Sequence, residues 1–223
     1  MDKKLFASAI VKFLSGVILI ALPLFLSAGS FGYWNTWLFM GILFIPMFIG
    51  GLILMKKNPE LLRKRLDVKE KQSQQKTVVA LSGIMFLSGF IVAGLDNRFQ
   101  WTKIPEWLVI TGAVIFLVSY GLYGEVLREN TYLSRTIEVQ ENQKVIDTGL
   151  YGIVRHPMYA VTILMFLSMP IVLGSWIAFI IFLTYPFIIA GRIINEEKVL
   201  EESLDGYKDY KEKVKYRILP FIW

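Results

Sequence analysis

"WNTWLFMGILFIPMFIGGLILM", residues 34–55, runs for 22 residues without a single Asp, Glu, Lys, Arg or His. Coiled as a helix at 1.5 Å per residue, the run is about 33 Å long, enough to cross the roughly 30 Å hydrocarbon core of a bilayer. Comparable blocks lie on either side of it: 5–28 before, then 78–95, 105–127, 158–174 and 176–194 after. The last two are parted by the turn Gly174-Ser175-Trp176. The pattern predicts an all-α integral membrane protein with about six transmembrane helices and a cytoplasmic C-terminal catalytic region. The first block follows Met-Asp-Lys-Lys as a secretory signal would. It is longer than a usual signal core and lacks a small-residue cleavage pattern, so it reads as a retained helix.

Composition narrows the chemistry. The 223 residues include no cysteine and one histidine. Disulfides, thiolate nucleophiles and zinc frameworks built on Cys or His are excluded. No carboxylate cluster interrupts the apolar blocks, so no metal is expected. The net charge is +6, and its distribution matters more than its size. Residues 56–76, "KKNPELLRKRLDVKEKQSQQK", carry eight Lys or Arg against three acids. Positive residues collect on the cytoplasmic side, which predicts a cytoplasmic loop there and, with six crossings, cytoplasmic termini. Without interleaved aromatics the loop is no nucleic-acid site; anionic lipid headgroups are its expected neighbours.

Two zones follow. Residues 1–127 are four plain spans, with Lys12 near enough to one end to snorkel. Residues 128–223 alternate polar and apolar segments: a connection with a short β-like alternation at Thr136–Val139, a helical hairpin and a charged tail. The tail reads as a helix to about Leu204, a turn at Asp205-Gly206 and a second short helix. Val199, Leu200 and Leu204 share one face; Tyr207, Tyr210 and Val214 share another. Composition favours an amphipathic tail on the membrane surface over a lid folded across a site.

The unusual residues gather in "GLYGIVRHPMYA", 149–160. The residue before a proline avoids the α region and proline suits the first helical turn, so a helix starts at Pro157 with His156 at its mouth. Such a start can hold an anion; Arg155 adds positive charge, and Tyr151 and Tyr159 add aromatic faces. Taken alone, the segment reads equally as an interfacial anchor. Downstream, "AGRIINEEKVL" sets Arg192 and Glu196 four residues apart on one helical face, with Glu197 beside them. The hairpin returns these charges to the level of His156 and so builds a cleft between helices.

Arg-His-Pro-x-Tyr, the apolar hairpin, "RIINEE" and "GYKDYKEKVKYRILPFIW" together resemble the isoprenylcysteine carboxyl methyltransferase family and, more loosely, the phospholipid N-methyltransferases. The resemblance covers residues 130–223. It implies an enzyme that uses S-adenosyl-L-methionine on the cytoplasmic side and takes a lipid-like or prenylated substrate from the bilayer. By the same resemblance Gln143, Lys144, Val145, Ile146, Tyr151, His156, Pro157, Met158 and Tyr159 line the cofactor pocket. Glu196 holds the cofactor with a carboxylate, Glu197 completes an acidic pair and Arg192 faces the substrate as the catalytic residue. A carboxylate acceptor is already ionised near neutral pH and needs positioning and dryness rather than a base. An amine acceptor would need one, and Glu196 or His156 would serve. Two other readings are an NADPH-dependent sterol-reductase-like enzyme, whose tail has a similar close, and a transporter or structural membrane protein. A transport pathway needs ionisable residues at mid-bilayer depth. The first four spans have almost none.

Overall fold

The computed structural model describes residues 3–66, 73–133 and 139–223; the side chains of 73–75 lie outside this description. The regular structure of the described residues is helical: α1 (Lys3–Ala28), α2 (Trp34–Lys57), α3 (Pro59–Leu66), α4 (Ser73–Phe99), α5 (Glu106–Glu129), α6 (Pro157–Val172), α7 (Trp176–Phe182), α8 (Tyr185–Ser203) and α9 (Tyr207–Lys213), with a 3₁₀ turn at Gly149–Gly152. The β-like alternation expected at Thr136–Val139 falls mostly on residues outside the described ones, and Val139 itself lies in no strand.

Among the described residues, five stretches are long and apolar enough to cross a membrane: α1, α2, Lys76–Phe99, α5 and the combined α7–α8 stretch Trp176–Ser203. The predicted block 158–174 becomes α6, whose 16 residues extend only about 24 Å. It packs lengthwise on α5 and also touches α2, α4, α7 and α8. A helix enclosed by protein in this way need not match the bilayer thickness. The block 176–194 is likewise not one straight helix. It breaks at Leu183–Thr184 before Pro186, and α8 then continues to Ser203, well past the apolar run.

Between the helices lies an aromatic column. Phe39, Phe86, Phe90, Phe116, Phe166, Phe182 and Tyr185 meet at centroid separations of 4.8–6.4 Å. Lipid tails are as apolar as these rings, so shape and dispersion rather than water exclusion hold the column together. Outward-facing side chains such as Leu19, Leu26, Ile84 and Phe187 are more than half exposed, as a lipid-facing surface requires.

Polar contacts cluster at the two ends of the bundle. At one end Asp96, 1% exposed, accepts from Thr102 N (2.7 Å), from Thr102 Oγ1 (2.5 Å) and from the Ser175 hydroxyl. Ser175 also caps α7 by accepting from Ala178 N. Asn35 Nδ2 donates to Val172 O (2.8 Å), and the Tyr33 hydroxyl to Leu173 O. These bonds pin the α6–α7 turn, where Gly174 adopts φ +79° with the Asn35 amide 3.2 Å from where a Cβ would sit. The basic helix α3, the connection 139–156 and the tail lie at the other end, where Lys64 Nζ donates to Gln140 Oε1 (2.6 Å).

Candidate functional site

The second end carries a cavity open to its surroundings at the mouth. Its wall comes from the end of α5, the connection to α6, the start of α6, one face of α8, and α9.

α6 starts as its sequence dictates. His156 is the N-cap residue (φ −124°, ψ 61°) and Pro157 opens the helix. The loop before it turns at Gly149, where φ is +51° and a Cβ would collide with the Glu129 carboxylate. That carboxylate accepts from Leu150 N (3.1 Å) and so ties α5 to the 3₁₀ turn. In that turn Tyr151 accepts from Asn130 Nδ2 at its hydroxyl (3.1 Å), and its carbonyl accepts from the Tyr210 hydroxyl (2.7 Å). Burial pushes the phenols of Tyr151 and Tyr210 well above their ordinary range, so both remain neutral.

Arg192, Tyr159 and Glu196 form a hydrogen-bonded chain on the wall. Arg192 Nε donates to the Tyr159 hydroxyl (2.8 Å), which donates to Glu196 Oε2 (2.5 Å). One turn of α8 separates Arg192 from Glu196, and the phenol of α6 bridges them. The His156 and Tyr159 rings lie 5.7 Å apart at 30°.

Directly behind this chain sits Glu197, 3% exposed. Its Oε1 accepts from Arg155 Nε (2.8 Å) and lies 3.2 Å from His156 Nε2, while its Oε2 accepts from Arg217 Nε (2.9 Å). A bond from His156 to a carboxylate requires a proton on Nε2. Arg155 also donates through Nη1 to Val214 O (2.7 Å) and Lys215 O (2.8 Å), and the backbone amides of Arg155 and His156 donate to Tyr216 O and Arg217 O. The C-terminal segment is thereby laced onto the start of α6. Arg217 stacks over Trp223, whose carbonyl accepts from the amides of Arg217 and Ile218.

Of the residues singled out in the two polar clusters and the stretch before them, Gln143, Lys144, Val145, Ile146, Tyr151, Arg155, His156, Met158, Tyr159, Arg192 and Glu196 line the cavity. Pro157 and Glu197 do not; both are buried outside the wall. Arg155, expected to lend its charge to an anion at the helix mouth, also lines the cavity, and its guanidinium is bonded to Glu197 and to tail carbonyls. Asn130, Tyr132 and Leu133 also line the cavity, although nothing in their spacing singled them out.

The tail does not lie apart as a surface helix. α9 folds back so that Leu204, Tyr207, Tyr210 and Val214 form a small core with Val139, Val145 and Leu200. Leu200, Leu204, Tyr207 and Tyr210 complete the cavity wall. The tail packs into the cavity wall because its apolar side chains have Val139 and Val145 to bury against.

The wall is chemically suited to a zwitterionic nucleoside. It offers a carboxylate, an arginine, several neutral phenols and an apolar flank. Among the described residues no group of acidic or histidine side chains could hold a metal ion.

Comparison with known proteins gives two similarities. A protein of Bacillus subtilis (strain 168), "Uncharacterized protein YpbQ", is 23% identical over 167 residues, covering 74% of this chain and 96% of that protein. Residues 107–205, which run from α5 through α6 and α7 to just past α8, match the family described as Phospholipid methyltransferase. Over that stretch, a little under half of the chain, the protein is similar to the phospholipid methyltransferase family.

Proposed function

We propose that this protein transfers a methyl group from S-adenosyl-L-methionine to a lipid-like acceptor, and that the acceptor is the carboxylate of an isoprenylated cysteine or a related prenylated molecule. When bound, the cofactor supplies an electrophilic methyl group on a sulfonium. The observation that carries the proposal is the Arg192–Tyr159–Glu196 chain on the cavity wall.

Glu196 suits the cofactor's ammonium or ribose hydroxyls, with Tyr159 and Tyr151 as aromatic neighbours. Gln143, Lys144, Val145, Ile146, His156 and Met158 complete the cofactor's surroundings. Pro157 and Glu197 act from behind: Pro157 sets the helix start, and Glu197 fixes His156 and the tail. Arg192 lies nearest the membrane, where a lipid's polar end would enter. Tyr159 holds its Nε and so sets the plane of the guanidinium that would grip a carboxylate. The lid formed by α9 excludes water from the reacting atoms.

An amine acceptor is the second reading, favoured by the family that residues 107–205 match. It needs a base, yet Glu196 Oε2 already accepts the Tyr159 proton and His156 Nε2 is held at Glu197. These bonds favour the carboxylate. The charge of residues 56–76 supports a cytoplasmic location for the cavity and both termini.

The test is methyl transfer by the full-length protein in lipid nanodiscs, with methyl-labelled cofactor and either a prenylcysteine analogue or phosphatidylethanolamine. Label on the prenylcysteine that is released by base as methanol supports the proposal. Base-stable label on the phospholipid assigns N-methylation, and label on neither overturns both readings.

A further inference from the structure

One polar atom of the cavity has no role in the chemistry above. Tyr207 is 4% exposed and lines the cavity, and its hydroxyl has no hydrogen-bond partner. Leaving such a group unpaired costs stability, so a native site that keeps one invites a ligand atom. Burial first, and then the charges of Glu197 and Glu196, push this phenol far above its ordinary range. It therefore stays protonated and can donate.

Its position indicates what it would donate to. Arg192, Glu196 and Leu200 follow one another at four-residue spacing along one face of α8, about 6 Å per step, Leu204 sits just past its end, and all four line the cavity. The wall changes along this stripe from charged to apolar. At the apolar end Val145, Tyr207 and Tyr210 join Leu200 and Leu204. The charged end suits the sulfonium and amino-acid part of the cofactor. The apolar end, with its unpaired donor, suits a flat heteroaromatic ring that offers an acceptor nitrogen.

We propose that the Tyr207 hydroxyl donates a hydrogen bond to a ring nitrogen of the cofactor's purine, seating it against Val145, Leu200 and Leu204 and selecting an adenine nucleoside. This inference rests on the cofactor reading given under Proposed function. Tyr207 is a positioning and specificity residue, about two turns of α8 from the methyl-transfer end.

Titration calorimetry on the full-length protein tests it, with S-adenosylhomocysteine and its 1-deaza, 3-deaza and 7-deaza analogues as ligands. Tyr207→Phe keeps the ring that packs on Leu204 and Tyr210 and removes only the hydroxyl. The variant should bind S-adenosylhomocysteine roughly two- to tenfold more weakly than wild type, with an undiminished unfolding temperature. One deaza analogue should be weakened by a similar factor in wild type and lose nothing further in the variant. Wild-type affinity in Tyr207→Phe, or equal weakening of all four ligands, would overturn the assignment. Failure of the wild-type protein to bind S-adenosylhomocysteine would overturn the cofactor reading itself.

Discussion

Glu196 and Glu197 are neighbours in sequence with opposite surroundings, because successive residues of a helix point about 100° apart. Glu196 lines the cavity and accepts from Tyr159; Glu197 is buried behind it among Arg155, His156 and Arg217. Replacing a buried anion by a neutral group leaves its cations uncompensated, which typically costs about 3–5 kcal/mol. Glu197→Gln should therefore lower the unfolding temperature and loosen residues 214–223, seen as faster hydrogen exchange there. Glu196→Gln should leave the unfolding temperature unchanged and weaken S-adenosylhomocysteine roughly ten- to hundredfold, the loss of one charge-assisted hydrogen bond. Arg192→Lys separates binding from turnover. It keeps the charge but loses the planar two-point grip, so cofactor affinity should persist while methyl transfer falls at least tenfold. Parallel loss of both would make Arg192 part of the cofactor site. A pH profile adds a further check. Tyr151, Tyr207 and Tyr210 have pKa values raised above the ordinary tyrosine value of about 10, so their contribution to tail docking is complete below that value. Stability should stay level with respect to these groups up to about pH 9 and fall as pH rises beyond 10, as followed by thermal unfolding.

At the scale of elements, local chemistry written in the sequence set most boundaries. Pro157 starts α6, Gly206 separates α8 from α9, and uncharged runs of spanning length became the long helices. The four-residue spacing of Arg192 and Glu196 likewise foretold a shared face. What the sequence did not disclose was the path of the connection after α5. Asn130, Tyr132 and Leu133 reach the cavity only because Glu129 and Asn130 tie that connection to the 3₁₀ turn, a contact between segments about twenty residues apart. The bonds of Arg155 to the tail were hidden for a similar reason, since its partners Val214 and Lys215 lie some sixty residues downstream. The far end of the hairpin offers a separate test. Ser175 both caps α7 and donates to Asp96, so Ser175→Ala removes two interactions at once. It should cost about 1–2 kcal/mol in thermal stability, comparable to the loss of a strong N-cap, without changing cofactor affinity. A change in affinity would mean that the two ends of the bundle are coupled.

For the whole molecule, the helices gather their polar contacts at two ends, and the cavity lies at the end that carries α3 and the tail. With no native cysteine, single-cysteine variants report topology cleanly. Lys57→Cys and Lys208→Cys should resist an impermeant thiol reagent applied to intact cells, whereas Lys103→Cys should label; the reverse pattern would invert the orientation. The central claim is that this cavity binds S-adenosyl-L-methionine. Its most direct test is calorimetric titration of the purified full-length protein with S-adenosylhomocysteine and, separately, NADPH, on wild type and Glu196→Gln. The account predicts one-to-one binding of S-adenosylhomocysteine by wild type, weakened roughly ten- to hundredfold in Glu196→Gln, and no heat from NADPH. Binding of NADPH alone, or equal affinity of both proteins for S-adenosylhomocysteine, would contradict it.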